Sequence, residues 1–118
     1  MGGWKDLSEY YRTEEQFRGK NWYFQSLKLG IVNYNSCVTF GLNETSIFLS
    51  VLPIFRIGHP PLLIPLKELQ GTEYKGLFFK YVDIIPQKAK GQTIRLFRKQ
   101  ADRIEQFTKN GWQYERRS

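Results

Sequence analysis

The chain of 118 residues has very little of what most reaction centres need. It contains a single cysteine, Cys37, and a single histidine, His59. One cysteine excludes an internal disulfide, and these two residues are too few for a structural zinc site. Cys37 lies among apolar residues, where a lone cysteine acts as a small hydrophobic side chain, and His59 lies in a turn beside two prolines, where we expect it to be exposed. We therefore predict a non-enzymatic protein that uses no metal or cofactor.

Long apolar segments are missing as well. The longest apolar run, from Ile47 to Ile54, already contains Ser50 and Pro53, so we expect no segment that crosses a bilayer. The first six residues lack the apolar stretch of a secretory signal. A lone cysteine is typical of a reducing compartment. Together these absences predict a cytoplasmic protein.

The chain is rich in aromatic residues, and its pattern is mainly that of β-strands. Aromatic residues make up 16% and hydrophobic residues 41% of the sequence, which predicts one globular domain over residues 1–118. From residue 20 onward, apolar and polar residues alternate in short runs separated by glycine, proline and asparagine, as in antiparallel strands. The predicted strands cover residues 22–29, 37–42, 47–51, 62–66, 72–75, 77–85 and 93–98.

Helical signals stand at the two ends of the sequence. Apolar residues recur at helical spacing near the start, so we expect a helical segment over residues 1–19. Within it, Thr13–Gln16 fits a capping box and predicts a short second turn that ends at Gly19. A second capping box, Asp102–Glu105, predicts a C-terminal helix, with Gly111 as its C-cap. The apolar residues of the first helical segment are Trp4, Leu7, Tyr10 and Tyr11.

The predicted order, about seven short antiparallel strands and then one helix, resembles the pleckstrin-homology-like superfold, which includes the GRAM-like domains. The resemblance covers residues 20–114. It implies a roll of two nearly orthogonal sheets with the helix in one open end. Members that bind phosphoinositides hold the phosphates with basic residues on the first two strands and the loop between them. Here Lys28 fits that pattern, but residues 30–42 contain no lysine or arginine, so the resemblance implies no specific phosphoinositide site.

A second resemblance concerns one short segment. The string Phe55-Arg56-x-Gly58-His59-Pro60-Pro61-Leu62-x-Ile64-Pro65 resembles one found in small uncharacterised bacterial proteins. It implies a bacterial protein and brings no function with it.

Positive charge is concentrated in the second half of the sequence. The net charge is +7; residues 1–66 carry six Lys/Arg against five Asp/Glu, and residues 67–118 carry twelve against six. Such an excess favours an anionic partner: a membrane surface or, in the alternative interpretation, a single-stranded nucleic acid stacked on Phe97, Trp112 and Tyr114. A solvated basic face with no ligand remains the competing interpretation. The candidate anionic-ligand patch is Lys88, Lys90, Arg95, Arg98, Lys99 and Arg103.

An apolar surface is the other candidate site. The run from Val51 to Phe55 is apolar on both faces, so one face needs a cover, either the N-terminal helix or a second chain. We therefore predict a binding or scaffold module that contacts a protein partner or forms a homodimer. Weak electrostatic binding to an anionic membrane comes second, and a nucleic-acid-binding β-barrel is the alternative; no small-molecule substrate is evident. The candidate interface is Trp4, Tyr10, Tyr11, Leu52, Ile54 and Phe55.

Overall fold

The computed structural model describes residues 2–55 and 57–116. In this part the chain is mainly β, as predicted, with seven antiparallel strands, a short N-terminal helix and a C-terminal helix. Short 3-10 helices cover Pro53–Phe55 and Leu66–Glu68. The elements are α1 (Gly2–Tyr11), β1 (Lys20–Leu29), β2 (Val32–Leu42), β3 (Ser46–Val51), β4 (Leu62–Pro65), β5 (Leu69–Lys75), β6 (Lys80–Pro86), β7 (Ile94–Phe97) and α2 (Arg98–Phe107).

The strands form one curled sheet in the order β4-β3-β2-β1-β7-β6-β5. β1 pairs with β2 along its length and with β7 at two positions, Lys28 with Arg95 and Leu29 with Ile94. The edge strands β4 and β5 would lie roughly 29 Å apart in a flat sheet. Yet only Leu66–Glu68 joins them, and a connection of that length reaches at most about 14 Å. The sheet must therefore curl into a half-barrel, and the core lies inside it.

Alternate side chains of the strands point into that core and fill it. Val38 and Phe40 of β2 and Leu49 and Val51 of β3 point inward and are buried. Helix α2 contributes Ile104 to the same core cluster. Each fully buried side chain of this size stabilises the fold by roughly 1.5–3 kcal/mol.

Helix α1 covers the sheet within the same chain. Trp4 is fully buried, and its indole Nε1–H donates to the carbonyl oxygen of Pro60 at 2.8 Å. The indole also packs against the Tyr34 ring, with ring centroids 5.4 Å apart. Gly3 permits this close approach, because a Cβ there would clash with the side chain of Leu29. Trp4, Leu7 and Tyr11 are thus buried within this chain, whereas Ile54 of the apolar run Val51–Phe55 remains 79% exposed.

Two local predictions within the first 36 residues are wrong. Residues 13–19 form no helical turn, so the capping box at Thr13 is not used. The segment 30–36, predicted as a loop, contains only a tight turn at Gly30 and Ile31, because β2 already begins at Val32 and pairs with β1. Gly30 has a φ of +62°, a conformation that glycine adopts without strain.

The C-terminal helix begins earlier than predicted. α2 starts at Arg98, so Asp102 lies inside the helix and is not its cap. Phe97 is the N-cap residue, and Gln100 lies at the third helical position, where its Oε1 accepts a hydrogen bond from the N–H of Phe97 at 2.9 Å. Its Nε2 donates to the carbonyl oxygen of Ser26 at 3.1 Å, which ties the start of α2 to β1.

Alkaline pH should destabilise the fold. Burial raises the pKa of Tyr11, Tyr34 and Tyr114 above their usual 10.0, and it raises the pKa of the Cys37 thiol above 9.0. The unfolded chain therefore loses these protons first, so stability is fully present below about pH 9 and falls as pH rises beyond it. Urea-unfolding midpoints across this range test the prediction. A Tyr34→Phe variant should show a shallower fall, and a midpoint that stays constant to about pH 11 would contradict the argument.

Candidate binding surface

The predicted basic patch is divided among ion pairs. Arg95 makes a bidentate pair with Asp83, with Nε–Oδ1 2.7 Å and Nη2–Oδ2 3.0 Å, and this hydrogen bonding raises the pKa of the guanidinium. The same guanidinium lies 3.9 Å from the ring centre of Tyr74. Arg98 reaches the buried carboxylate of Glu73 at 3.6 Å. These two arginines are therefore largely occupied by this chain's own side chains.

The other four cations of the patch precede or follow β7 in the chain. Lys88 and Lys90 are in the loop before this strand, and Lys99 and Arg103 are on α2 after it. Lys88 Nζ is 3.8 Å from a carboxylate oxygen of Glu68, and the Arg103 guanidinium lies 5.1 Å from the Trp22 ring centre. Lys90 and Lys99 are exposed. The six residues thus come from the β6–β7 loop, from β7 and from α2.

The residues of the predicted apolar interface are also not all on the surface, because some are buried in the core and others are exposed. Tyr11 is buried, and its hydroxyl donates to Glu68 Oε1 at 2.9 Å and accepts from the N–H of Lys88 at 3.1 Å. Because Trp4 and Tyr11 belong to the core, neither is available to a partner, which corrects their assignment to the interface. Of the six residues, Trp4 and Tyr11 are buried, Leu52 is half-buried, Tyr10 and Ile54 are exposed, and the side chain of Phe55 lies outside the described part.

His59 and Cys37, the two residues from which a catalytic site would be built, lie in environments that do not favour catalysis. His59 is half-buried, not exposed as predicted, and its Nε2 lies 3.2 Å from the Tyr34 hydroxyl. Its ring also packs edge-on against Trp4, with centroids 5.5 Å apart. Burial raises the pKa of the Cys37 thiol, whereas a nucleophilic cysteine needs a lowered one. Within residues 2–55 and 57–116, no three metal-ligating side chains come together.

The most exposed apolar cluster is at the turn between β5 and β6. Leu77, Phe78 and Phe79 follow one another there and are 90%, 84% and 59% exposed. We call these three residues the tip. The N–H of Gly76 closes the turn by donating to the carbonyl oxygen of Phe79 at 2.9 Å. The tip therefore presents three apolar side chains to solvent on a closed hairpin.

Two lysines flank the tip. Lys75 and Lys80 are the last cross-strand pair of the hairpin, directly opposite each other, and both are exposed. Like charges in this position repel and destabilise a hairpin. In the described part of the chain, neither lysine has a carboxylate within ion-pair distance. The base of the tip thus carries two uncompensated positive charges.

Aromatic rings support the tip on the outer face of the sheet. The ring of Phe79 contacts those of Tyr81 and Phe97, with centroids 6.4 and 6.0 Å apart. Tyr81 in turn contacts Phe97 at 5.4 Å and Tyr74 at 6.4 Å. We call Tyr74, Phe79, Tyr81 and Phe97 the ring cluster. These residues alternate with inward-facing ones such as Val82, so the rings lie on the face where a sheet normally shows polar side chains.

A polar cleft continues this surface toward β1 and β2. It has a volume of about 310 Å³ and lies between the two halves of the sheet, where β1 and β7 part beyond their two paired positions. Tyr81 and Phe97 form its aromatic side, Leu27 also lines it, and the other lining residues are polar. The polar lining residues are Ser26, Lys28, Asn33, Asn35 and Arg95.

Sequence reasoning missed the tip because it assigned Leu77–Ile85 to one strand. A signal was present, since Leu77, Phe78 and Phe79 are consecutive apolar residues that break the alternation of a strand. Gly76 directly before them is also a turn residue. The strand in fact begins at Lys80.

Comparisons with known proteins assign no family to this chain. No protein-family model matches it, and no curated protein resembles it significantly in sequence. In the described part of the chain, none of the helices has the length and apolar character needed to cross a bilayer.

Proposed function

We propose that this chain is a non-enzymatic binding module, built as a pleckstrin-homology-like roll, that contacts its partner through the tip and the ring cluster. The observation that carries the proposal is the tip: three consecutive apolar side chains exposed on a closed hairpin. Folded proteins keep such contiguous apolar patches small, and a patch of this kind marks an interaction site. The ring cluster extends the contact surface along the sheet.

The sheet order supports the fold part of the proposal. A meander of four strands, β1 to β4, is followed by a meander of three, β5 to β7, and β1 joins the two by pairing with β7. One helix follows the last strand. Seven strands followed by one helix is the element order that the resemblance implies.

The surroundings of Cys37 and His59 support the non-enzymatic part. A half-buried thiol of raised pKa is a poor nucleophile, and an imidazole packed between Trp4 and Tyr34 has little freedom to act as a base. We therefore propose binding, with no chemical step.

A second candidate function is the binding of single-stranded nucleic acid. The ring cluster favours it, because aromatic rings beside cations stack bases and contact phosphates. Arg95 lies over Tyr74, and Lys28 lines the adjoining cleft.

Amide chemical shifts of the labelled protein test which surface binds. We would titrate it with a thymidine oligonucleotide and, separately, with a soluble short-chain phosphatidylglycerol, and we would also record spectra at increasing protein concentration. We expect at least one of the two ligands to shift residues 74–81 and 97. Shifts confined to α1 and to residues 52–55, or no shift under any condition, would contradict the proposal.

A further inference from the structure

We propose that the partner of the tip is an anionic lipid bilayer. In this inference Leu77, Phe78 and Phe79 enter the interface between headgroups and acyl chains, and Lys75 and Lys80 contact lipid phosphates. The inference rests on the binding function proposed above, because it names the partner of the same surface.

The hairpin has the reach that such insertion needs. The last cross-strand pair, Lys75 with Lys80, is followed by the turn, so Leu77 and Phe78 lie about two residues beyond it. At the rise of a β-strand this corresponds to roughly 6–7 Å. Apolar faces of interfacial segments enter the boundary between headgroups and acyl chains by about 5–10 Å. The tip can therefore reach the acyl boundary while the two lysines remain at the level of the headgroups.

The two lysines supply the charge complementarity. They lie opposite each other without a carboxylate partner in the described part of the chain, so they repel each other in the free protein. An anionic surface relieves this repulsion. Their long side chains can keep the ammonium groups among the phosphates while the methylene stems pack along apolar surface. The net charge of +7 adds a long-range attraction to the same surface.

A second copy of the chain fits the tip less well. Two tips in contact would bring two copies of Lys75 and Lys80 close together while apolar surface is buried between them. Such an arrangement adds like-charge repulsion at the rim of the contact.

Nucleic acid also fits the tip less well than a bilayer does. Leu77 is the most exposed residue of the tip, and an aliphatic side chain offers no face on which a base can stack. A bilayer accepts all three apolar side chains together with the two cations.

Vesicle co-sedimentation of the full chain tests the inference. We would compare vesicles of phosphatidylcholine alone with vesicles that also contain phosphatidylglycerol, at low and at physiological salt. The wild type should bind the anionic vesicles and not the neutral ones. A Phe78→Ser/Phe79→Ser variant should lose at least about tenfold in affinity at both salt concentrations. A Lys75→Glu/Lys80→Glu variant should lose at least about tenfold, most strongly at low salt.

Two matched controls come from the opposite end of the sheet. Ile31 is 93% exposed in the turn between β1 and β2, and Lys90 is exposed in the loop before β7. Ile31→Ser and Lys90→Glu make the same kinds of change as the tip variants, and both should bind within about twofold of wild type. Loss of binding in these controls, with the tip variants unaffected, would overturn the inference.

Insertion itself needs a separate readout. An environment-sensitive fluorophore attached at Leu77→Cys, in a Cys37→Ser background, should shift to shorter wavelength on anionic vesicles. It should also be quenched by lipids that carry a quencher in the acyl chain. The same fluorophore at Ile31→Cys should remain in water. An unshifted probe at position 77 on vesicles that bind the protein would show that the tip does not insert, which overturns the inference.

The outcomes separate this inference from the proposed function. If the vesicles fail to bind while the oligonucleotide shifts residues 74–81, the binding function stands and the membrane inference is wrong. If the vesicles fail to bind, and neither the two soluble ligands nor increasing protein concentration shifts residues 74–81 and 97, both are wrong.

Discussion

Replacing Trp4 with alanine is expected to destabilise the protein by about 3–5 kcal/mol, the range for truncating a buried tryptophan. The side chain is fully buried, donates a hydrogen bond to the carbonyl oxygen of Pro60, and packs against Tyr34 and His59. The variant loses these contacts and leaves a cavity between α1 and the sheet. The Pro60 carbonyl also loses its donor, which adds to the cost if it stays buried.

Urea unfolding followed by circular dichroism measures this effect. Tyr10→Ala is the matched control, because Tyr10 lies on the same helix but is 53% exposed, so its loss should change stability by no more than about 0.5 kcal/mol. Equal and small effects of the two substitutions would show that α1 does not depend on Trp4 for its docking. Faster hydrogen exchange throughout α1 in Trp4→Ala would locate the damage.

The contrast between Trp4 and Tyr10 also shows how much of the buried face of α1 can be predicted from helical periodicity alone. Trp4, Leu7 and Tyr11 fall within one narrow sector of a helix that turns by about 100° per residue, and all three are buried. Tyr10 lies about a quarter-turn away from the centre of that sector and faces solvent. The spacing therefore predicted the helix and most of its buried face. It wrongly added Tyr10, which flanks that face, to the buried residues.

The strands were predictable where their alternation was regular. Val38, Phe40 and Leu42 alternate with less apolar neighbours, and they form part of the inner wall of the half-barrel. The first part of β2 was missed, because Gly30, Asn33 and Asn35 belong to residue types that are depleted in strands. There the pairing with β1 across the tight turn at Gly30 and Ile31 overrides the local preference of these residues.

The candidate surface was less predictable than the fold, because it depends on register and on ion pairs. The opposition of Lys75 and Lys80 follows from the pairing of β5 with β6. In the same way, only the structure shows that Arg95 is held by Asp83 and that Arg98 reaches Glu73. The candidate patch predicted from the sequence therefore included both arginines and left out the uncompensated lysines beside the tip.

Glu105 anchors the C-terminal segment, which covers the open edge of β5. Glu115 forms a parallel bridge with β5: its N–H donates to the carbonyl oxygen of Gly71, and its own carbonyl accepts from Glu73, both at 2.8 Å. The buried carboxylate of Glu105 accepts from the N–H of Tyr114 at 3.2 Å and from Arg116 Nη1 and Nη2 at 3.0 and 2.6 Å. A covered edge cannot pair with another chain, so this segment also guards against aggregation.

Glu105→Ala is therefore expected to destabilise the protein by about 2–3 kcal/mol, because it removes the acceptor of a buried backbone N–H and the anchor of the segment. The amide of Glu73, which donates to the segment, should exchange its hydrogen faster, while amides in the β2–β3 hairpin should change less. Glu14→Ala provides the control: its ion pair with Arg12 spans 3.6 Å between exposed side chains, and its loss should leave the unfolding midpoint unchanged. If Glu105→Ala matched this control in both measurements, the edge of β5 would have to be held by the backbone bridge alone. Selective loss of protection at Glu73 would instead show that a carboxylate on α2 keeps the edge of the sheet closed.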